Sequence, residues 1–228
     1  MRHLGLFAKY WQPGNVKTRL ARSIGPEAAA KIYRAFVATL LTRLHSLADE
    51  QAIWVWPPER VSEFAAIAGH WRIAPQPEGE LGDRIAHYFA ETLRDPPAQA
   101  VLLGTDSPNV PLDRIAAAYD VLESADAAMV PTDDGGYCLI ACARPMPELF
   151  VDIPWSTGRV LSTTLAHAEA AGIRCQLLPP WYDIDEQDDL ARLQADLLTA
   201  QEPALVRLRE EIAAILAAPR TSGKDSDV

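Results

Sequence analysis

HLGLFAKYWQPGNVKTRL, residues His3 to Leu20, governs how the rest of the chain is read. An apolar, strand-like run (His3–Ala8) gives way to a turn through Gln12-Pro13-Gly14-Asn15, and Lys17, Thr18 and Arg19 follow at once. A Pro-Gly turn after a strand exposes backbone N–H groups, and those donors beside Lys and Arg suit phosphate oxygens. The stretch is not a Walker A loop, because Val16 stands where that motif has Gly directly before Lys-Ser/Thr. The plainer reading is an ordinary basic loop between a strand and a helix. Yet no acidic residue occurs from Met1 to Pro26, where Arg2, Lys9, Lys17, Arg19 and Arg22 all fall, while the whole chain carries a formal charge of -10. An acidic chain with one purely basic end suggests a local site for a small, multiply charged anion.

Outward from this stretch, strand-like runs alternate with helical patterns. Glu27–Leu47 carries apolar residues at helical spacing, Ala52–Trp56 reads as a strand stopped by Pro57-Pro58, and Glu59–Ala68 as a short helix. Trp71–Ala74, Ala100–Leu103, Ala127–Val130, Tyr137–Cys142 and Arg174–Leu178 read as further strands. Leu81–Leu93, Leu112–Leu122, Thr157–Ala171 and one or two segments from Asp188 to about Ala217 read as helices. This alternation predicts an α/β fold, a mainly parallel sheet with helices on both faces, which binds ligands at the carboxyl ends of its strands. Residues 1–218 are expected to form a single domain and 219–228 a disordered polar tail.

The 228 residues are 49% hydrophobic, enough for an ordinary core. No apolar run reaches the roughly 20 residues a spanning helix needs. The opening residues are too short an apolar stretch for a signal peptide, and three cysteines without metal-type spacing fit a reduced, cytoplasmic protein. Net negative charge argues against nucleic acid as a partner. A homo-oligomer is compatible with everything in the sequence.

Three other places carry chemistry. Gly104-Thr105-Asp106-Ser107-Pro108 puts a carboxylate just past a buried strand, where it can share Mg²⁺ or Mn²⁺ with a diphosphate; the competing role is capping the next helix. In Trp181-Tyr182-Asp183-Ile184-Asp185, alternation puts Asp183 and Asp185 on one face, about 6.5–7 Å apart, able to join the same metal. Helix capping is again the competing role for Asp185, while Glu186, Asp188 and Asp189 suit a helix N-terminus. Asp134-Gly135-Gly136 is a tight-turn sequence that also lets a ligand approach the backbone. Near it belong Gln76–Arg84, a glycine-containing loop entering a helix, and Trp155, which can stack on a ring or merely pack. The histidines are scattered, and no serine has a nucleophile-elbow context.

Taken in order, Phe7-Ala8-Lys9, Pro13-Gly14-x-Val16-Lys17-Thr18-Arg19-Leu20, Leu81-Gly82-x-Arg84, Gly104-x-Asp106-x-Pro108, Asp134-Gly135-Gly136-Tyr137, Pro154-Trp155-Ser156-Thr157 and Asp183-x-Asp185 resemble one family. It is the bacterial glycosyltransferase-A-like family known as arsenosugar-biosynthesis glycosyltransferases, and the match runs from Leu6 to about Leu190. The resemblance implies a three-layer α/β/α sandwich around a mixed sheet, the Rossmann-like nucleotide-diphospho-sugar transferase fold, shared with a phospholactate guanylyltransferase. It implies phosphate binding by Lys17 and Arg19, and a metal held by Asp106 with Asp185 and Asp183. Lys9, Gly14, Thr18, Gly82, Arg84, Gly135, Gly136 and Trp155 complete the expected nucleotide site. Tyr10-Trp11-Gln12 and Ala141 depart from the family pattern, which leaves the substrate open.

The foremost expectation is a metal-dependent glycosyltransferase that uses a nucleotide sugar and a small-molecule acceptor, with Asp133 or Asp134 as a base if one is needed. The alternative is nucleotidyl transfer from an NTP to a phosphorylated small molecule, with release of pyrophosphate. A third reading is a nucleotide-binding regulator without turnover.

Overall fold

Strands form where apolar runs of four to eight residues meet turn residues, and helices where the apolar period lengthens. The computed structural model describes residues 1–219; most of the tail expected at 219–228 therefore lies outside the described residues. In chain order the elements are β1 (Arg2–Lys9), α1 (Thr18–Ile24), α2 (Pro26–Arg43), β2 (Glu50–Trp56), a 3-10 segment (Pro58–Phe64) running into α3 (Ala65–Ala68), β3 (Arg72–Pro75) and α4 (Leu81–Thr92). There follow β4 (Gln99–Leu103), α5 (Leu112–Val121), β5 (Ala127–Pro131), β6 (Tyr137–Cys142), α6 (Val160–Ala170), β7 (Cys175–Leu177), α7 (Gln187–Leu198) and α8 (Pro203–Ala217).

The seven strands make one mixed sheet in the order β3-β2-β1-β4-β6-β5-β7. Every pairing is parallel except those of β6, which runs antiparallel to both β4 and β5. The N-terminal strand lies near the middle of the sheet. From β1 the chain winds outward to β2 and β3, then returns to place β4 on the other flank of β1. The direction of winding reverses there, which opens a crevice at the carboxyl ends of β1 and β4.

Strand pleating assigns the two faces. Leu4, Leu6 and Ala8 of β1 pack with Val101 and Leu103 of β4 under α2 and α5. On the opposite face, Trp54, Ala100 and Leu102 meet Tyr88 and Phe89 of α4 and Ala168 of α6. The result is the three-layer α/β/α sandwich expected from the sequence. A third apolar cluster joins Phe36 of α2 to Ile184, Leu193 of α7 and Leu208 of α8. Gly5 marks a close approach in the second layer: a Cβ there would lie 2.5 Å from the Tyr88 ring.

Several boundaries differ from the sequence reading, among them the end of α2, at Arg43 rather than Leu47. Thr18–Ile24 is a helix rather than a loop, and Lys17 is its N-cap. Glu59–Ala68 divides into a 3-10 segment and a single α turn. Helix α6 begins at Val160, not Thr157, because Thr157 Oγ1 donates to Pro154 O at 2.7 Å and closes a turn ahead of it.

Candidate active site

Lys17 enters the crevice because the turn after β1 ends on it in a left-handed conformation, φ 48° and ψ 44°, unusual for a side-chain-bearing residue. That backbone drives the side chain inward, where it is only 3% exposed. Its ammonium pairs with Asp106 Oδ1 and, at 3.0 Å, with Asp185 Oδ1. Burial disfavours its charge, but the two carboxylates outweigh burial and hold the Lys17 pKa above the ordinary value. Arg19, two residues on and half exposed, pairs with Asp185 Oδ2 and reaches Glu186 at 3.6 Å.

Asp106 leaves the end of β4 and points into the same opening, 45% exposed. It caps no helix: the N-cap of α5 is Pro111, with no side-chain cap. Its loop is fixed from beneath by buried Arg43, which donates to Pro108 O at 2.7 Å and Val110 O at 2.9 Å while pairing with Glu202. Ile184 N donates to Asp106 O at 3.0 Å, and the Ser107 hydroxyl is shared between the Asp183 carboxylate and Tyr182 O. These ties join residues 182–185 to the β4 loop. Tyr182 and Ile184 are buried while Asp183 and Asp185 turn the other way, so the alternation read from the sequence is present.

The two aspartates have different surroundings. Burial, then the Asp106 charge, pushes the Asp183 carboxyl up to about 7. Asp185 also pays for burial, but Lys17 and Arg19 hold it below the usual carboxylate range. Asp185 does not cap α7. The capping box there belongs to Glu186 and Asp189, as the acidic run suggests.

The crevice has a volume of about 470 Å³. Lys9, Thr18, Arg19 and Arg84 line it among the expected residues, beside Lys17, Asp106 and Asp185. Arg84 lies 3.5 Å from the Trp56 ring centroid and donates twice to Gly79 O, at 2.9 and 2.7 Å. The sequence reading missed Tyr33 and Thr105, which stand on the floor. Tyr33 OH accepts from Lys9 N at 2.9 Å and bonds Thr105 Oγ1 at 2.7 Å. The available signal was one hydroxyl-bearing aromatic on an otherwise apolar face of α2.

Other expected residues have structural work instead. The Asp134 carboxylate accepts from Thr132 Oγ1 at 2.6 Å and Gly136 N at 3.0 Å, closing its own turn. Asp133 pairs with Arg192. Gly135, at φ +84°, would bring a Cβ to 2.3 Å from Gly158 O, and Gly82 would bring one to 2.3 Å from Phe150 O. At both positions backbone packing leaves no room for a side chain. Trp155 packs against the second core layer, and Gly14 is exposed with open space around it.

Asp106, Asp183 and Asp185 supply the hard oxygens that Mg²⁺ or Mn²⁺ prefers, and the Asp106–Asp183 repulsion is one that a cation relieves. The donor chemistry fits. Among the described residues, however, no group of three or more His, Cys, Asp or Glu stands ready around an ion position. Lys17 takes up the point between two of the three carboxylates.

A parallel-wound sheet with one antiparallel strand and a cationic and carboxylate crevice at its switch point define the nucleotide-diphospho-sugar transferase fold. More particularly, the chain belongs to the family described as "Uncharacterized protein conserved in bacteria (DUF2064)", which matches residues 40–157. A Desulfovibrio desulfuricans G20 protein with the provisional name nucleotide-diphospho-sugar transferase is 31% identical, over 94% of this chain and 96% of that one, with a TM-score of 0.86. Two more distant structures share the fold alone. A cytidylyltransferase from Leptospira borgpetersenii has 14% identity and a TM-score of 0.57, over 97% of this chain and 98% of that one. Rv0371c from Mycobacterium tuberculosis, in complex with manganese, has 14% identity and a TM-score of 0.51, over 84% and 97%. No curated protein matches the chain. No helix among the described residues is long and apolar enough to cross a membrane.

Proposed function

We propose that this enzyme is a divalent-cation-dependent transferase that draws its group from a nucleotide diphosphate donor, and that the donor is a nucleotide sugar. The carrying observation is the position of Lys17, buried between carboxylates from β4 and from residue 185, with Arg19 beside it at the mouth of the crevice. Two fixed cations next to hard anionic oxygens suit a diphosphate that arrives with its metal.

In this reading Lys17 and Arg19 hold the diphosphate oxygens and stabilise the negative charge that develops as the donor bond breaks. Asp106 and Asp183 would hold Mg²⁺ or Mn²⁺, with Asp185 joining as its cation partners turn to the phosphates. When bound, the metal neutralises part of the diphosphate charge. Tyr33 and Thr105 fix the floor, so the carboxylate and the lysine keep their spacing. Gln76 and the Arg84–Trp56 pair form the wall for the nucleoside. Residues 1–218 act as one unit in this scheme, because the charged set draws on both ends of it.

Calorimetry with UDP-, GDP-, CDP- and ADP-sugars beside the four NTPs, each with Mn²⁺, Mg²⁺ or EDTA, tests the proposal. Metal-dependent preference for one nucleotide sugar is the expected result. Preference for an NTP would replace glycosyl with nucleotidyl transfer, and binding of neither by folded protein would overturn both.

A further inference from the structure

Lys17 does more than line the crevice. Its ammonium is removed from solvent, its backbone is held in the left-handed region, and its carboxylate partners come from two separate segments. A buried ammonium without partners is disfavoured, so the pairing with Asp106 and Asp185 is what permits Lys17 to remain there. A small divalent cation would want the same oxygens at about 2.0–2.1 Å, closer than an ammonium comes. Two cations cannot share one such point, because their repulsion in a partly dry crevice exceeds what the carboxylates return. The crevice beside Lys17 offers room for its flexible four-carbon stem to swing toward a ligand.

We propose that Lys17 is the protein's own counter-ion at the cation position: its ammonium bridges Asp106 and Asp185 in the free protein, and a divalent cation binds there as Lys17 withdraws toward the donor phosphates. The inference rests on the metal assignment made above. It has a consequence that assignment alone lacks. Metal without nucleotide binds weakly, since it must displace Lys17, whereas the diphosphate gives the displaced ammonium a new anionic partner. Metal and nucleotide therefore strengthen each other's binding, and reciprocally.

The test uses Mn²⁺ alone, followed by electron paramagnetic resonance and calorimetry at fixed pH and ionic strength. Folded Lys17→Met should bind Mn²⁺ roughly tenfold more tightly than the wild type, because the competing charge is gone. Asp106→Asn should remove Mn²⁺ binding in both backgrounds. Unchanged or weaker Mn²⁺ binding by Lys17→Met, with Asp106→Asn still abolishing it, overturns the counter-ion role and leaves the metal assignment standing. Undiminished Mn²⁺ binding by Asp106→Asn overturns the metal assignment and the inference together. The unmutated chain gives a second readout that does not depend on a variant folding. Acetic anhydride labelling with mass spectrometry should find Lys17 protected without metal and freely modified in saturating Mn²⁺, with exposed Lys9 and Lys31 as references. Equal protection of Lys17 with and without Mn²⁺ would overturn the proposal.

Discussion

Asp183 and Asp185 stand two positions apart, yet one carboxyl is raised to about 7 and the other held low. The contrast follows from what each meets: burial and the like charge of Asp106 raise Asp183, whereas two cations more than offset the burial of Asp185. A sequence shows the spacing of such a pair but not the partners that arrive from 168 residues away. For the same reason Asp106, Lys17, Arg19 and Asp185 were legible as candidates, while Tyr33 was hidden among the apolar positions of its helix. For Asp134, a turn-closing carboxylate and a catalytic one look alike in sequence. At this scale we expect Asp106→Ala to abolish metal-dependent nucleotide binding while leaving the protein folded. Wild-type affinity in Mn²⁺ would exclude Asp106 as a ligand. Lys17→Ala with Arg19→Ala should weaken nucleotide binding by about 10²-fold or more at low salt, in line with charge-assisted bonds of about 1.5–3 kcal/mol each. Arg43→Met should cost about 3 kcal/mol in urea unfolding, since it strands two carbonyls and Glu202 in a largely buried setting.

Among elements, the strands were easily read because each is a short apolar run between turn residues. Helix α1 was not, since seven residues give an apolar period too little length to show and Gly25-Pro26 follow directly. The glycine motifs were located, and the structure adds a packing reason that the sequence did not show. Gly82 lets the start of α4 touch the backbone at Phe150, and Gly135 lets the β5–β6 turn touch Gly158. Gly135→Ala faces both a positive φ and a 2.3 Å backbone contact, so it should lose about 2–4 kcal/mol of stability. Gly14→Ala has the positive φ without the contact and should lose only about 1 kcal/mol. Parallel denaturant titrations decide the matter: equal losses would mean that contact with Gly158 contributes nothing.

For the whole molecule, alternation of strands and helices sufficed to give the layers, but not the order β3-β2-β1-β4-β6-β5-β7. Nothing local in Tyr137–Cys142 reveals that β6 would insert antiparallel between β4 and β5; tertiary pairing decides that. A ligand that bridges segments from opposite ends of the chain stabilises the entire fold by mass action. A preferred nucleotide at a hundred times its Kd, with Mn²⁺, should add about 2.7 kcal/mol and raise Tm by about 5–10 °C. EDTA should erase that shift, and a shift that survives EDTA would mean the nucleotide binds without metal.

The central place of β1 has a consequence for biosynthesis. Made before both of its neighbours, β1 can pair with residues 50–56 early, but its other edge stays open until residues 99–103 leave the ribosome. Lys17 waits longer still, because Asp185 lies 168 residues further along the chain. Until residue 185 has been made, no nascent chain holds the full charge set, so competence to bind arrives in one step rather than by degrees.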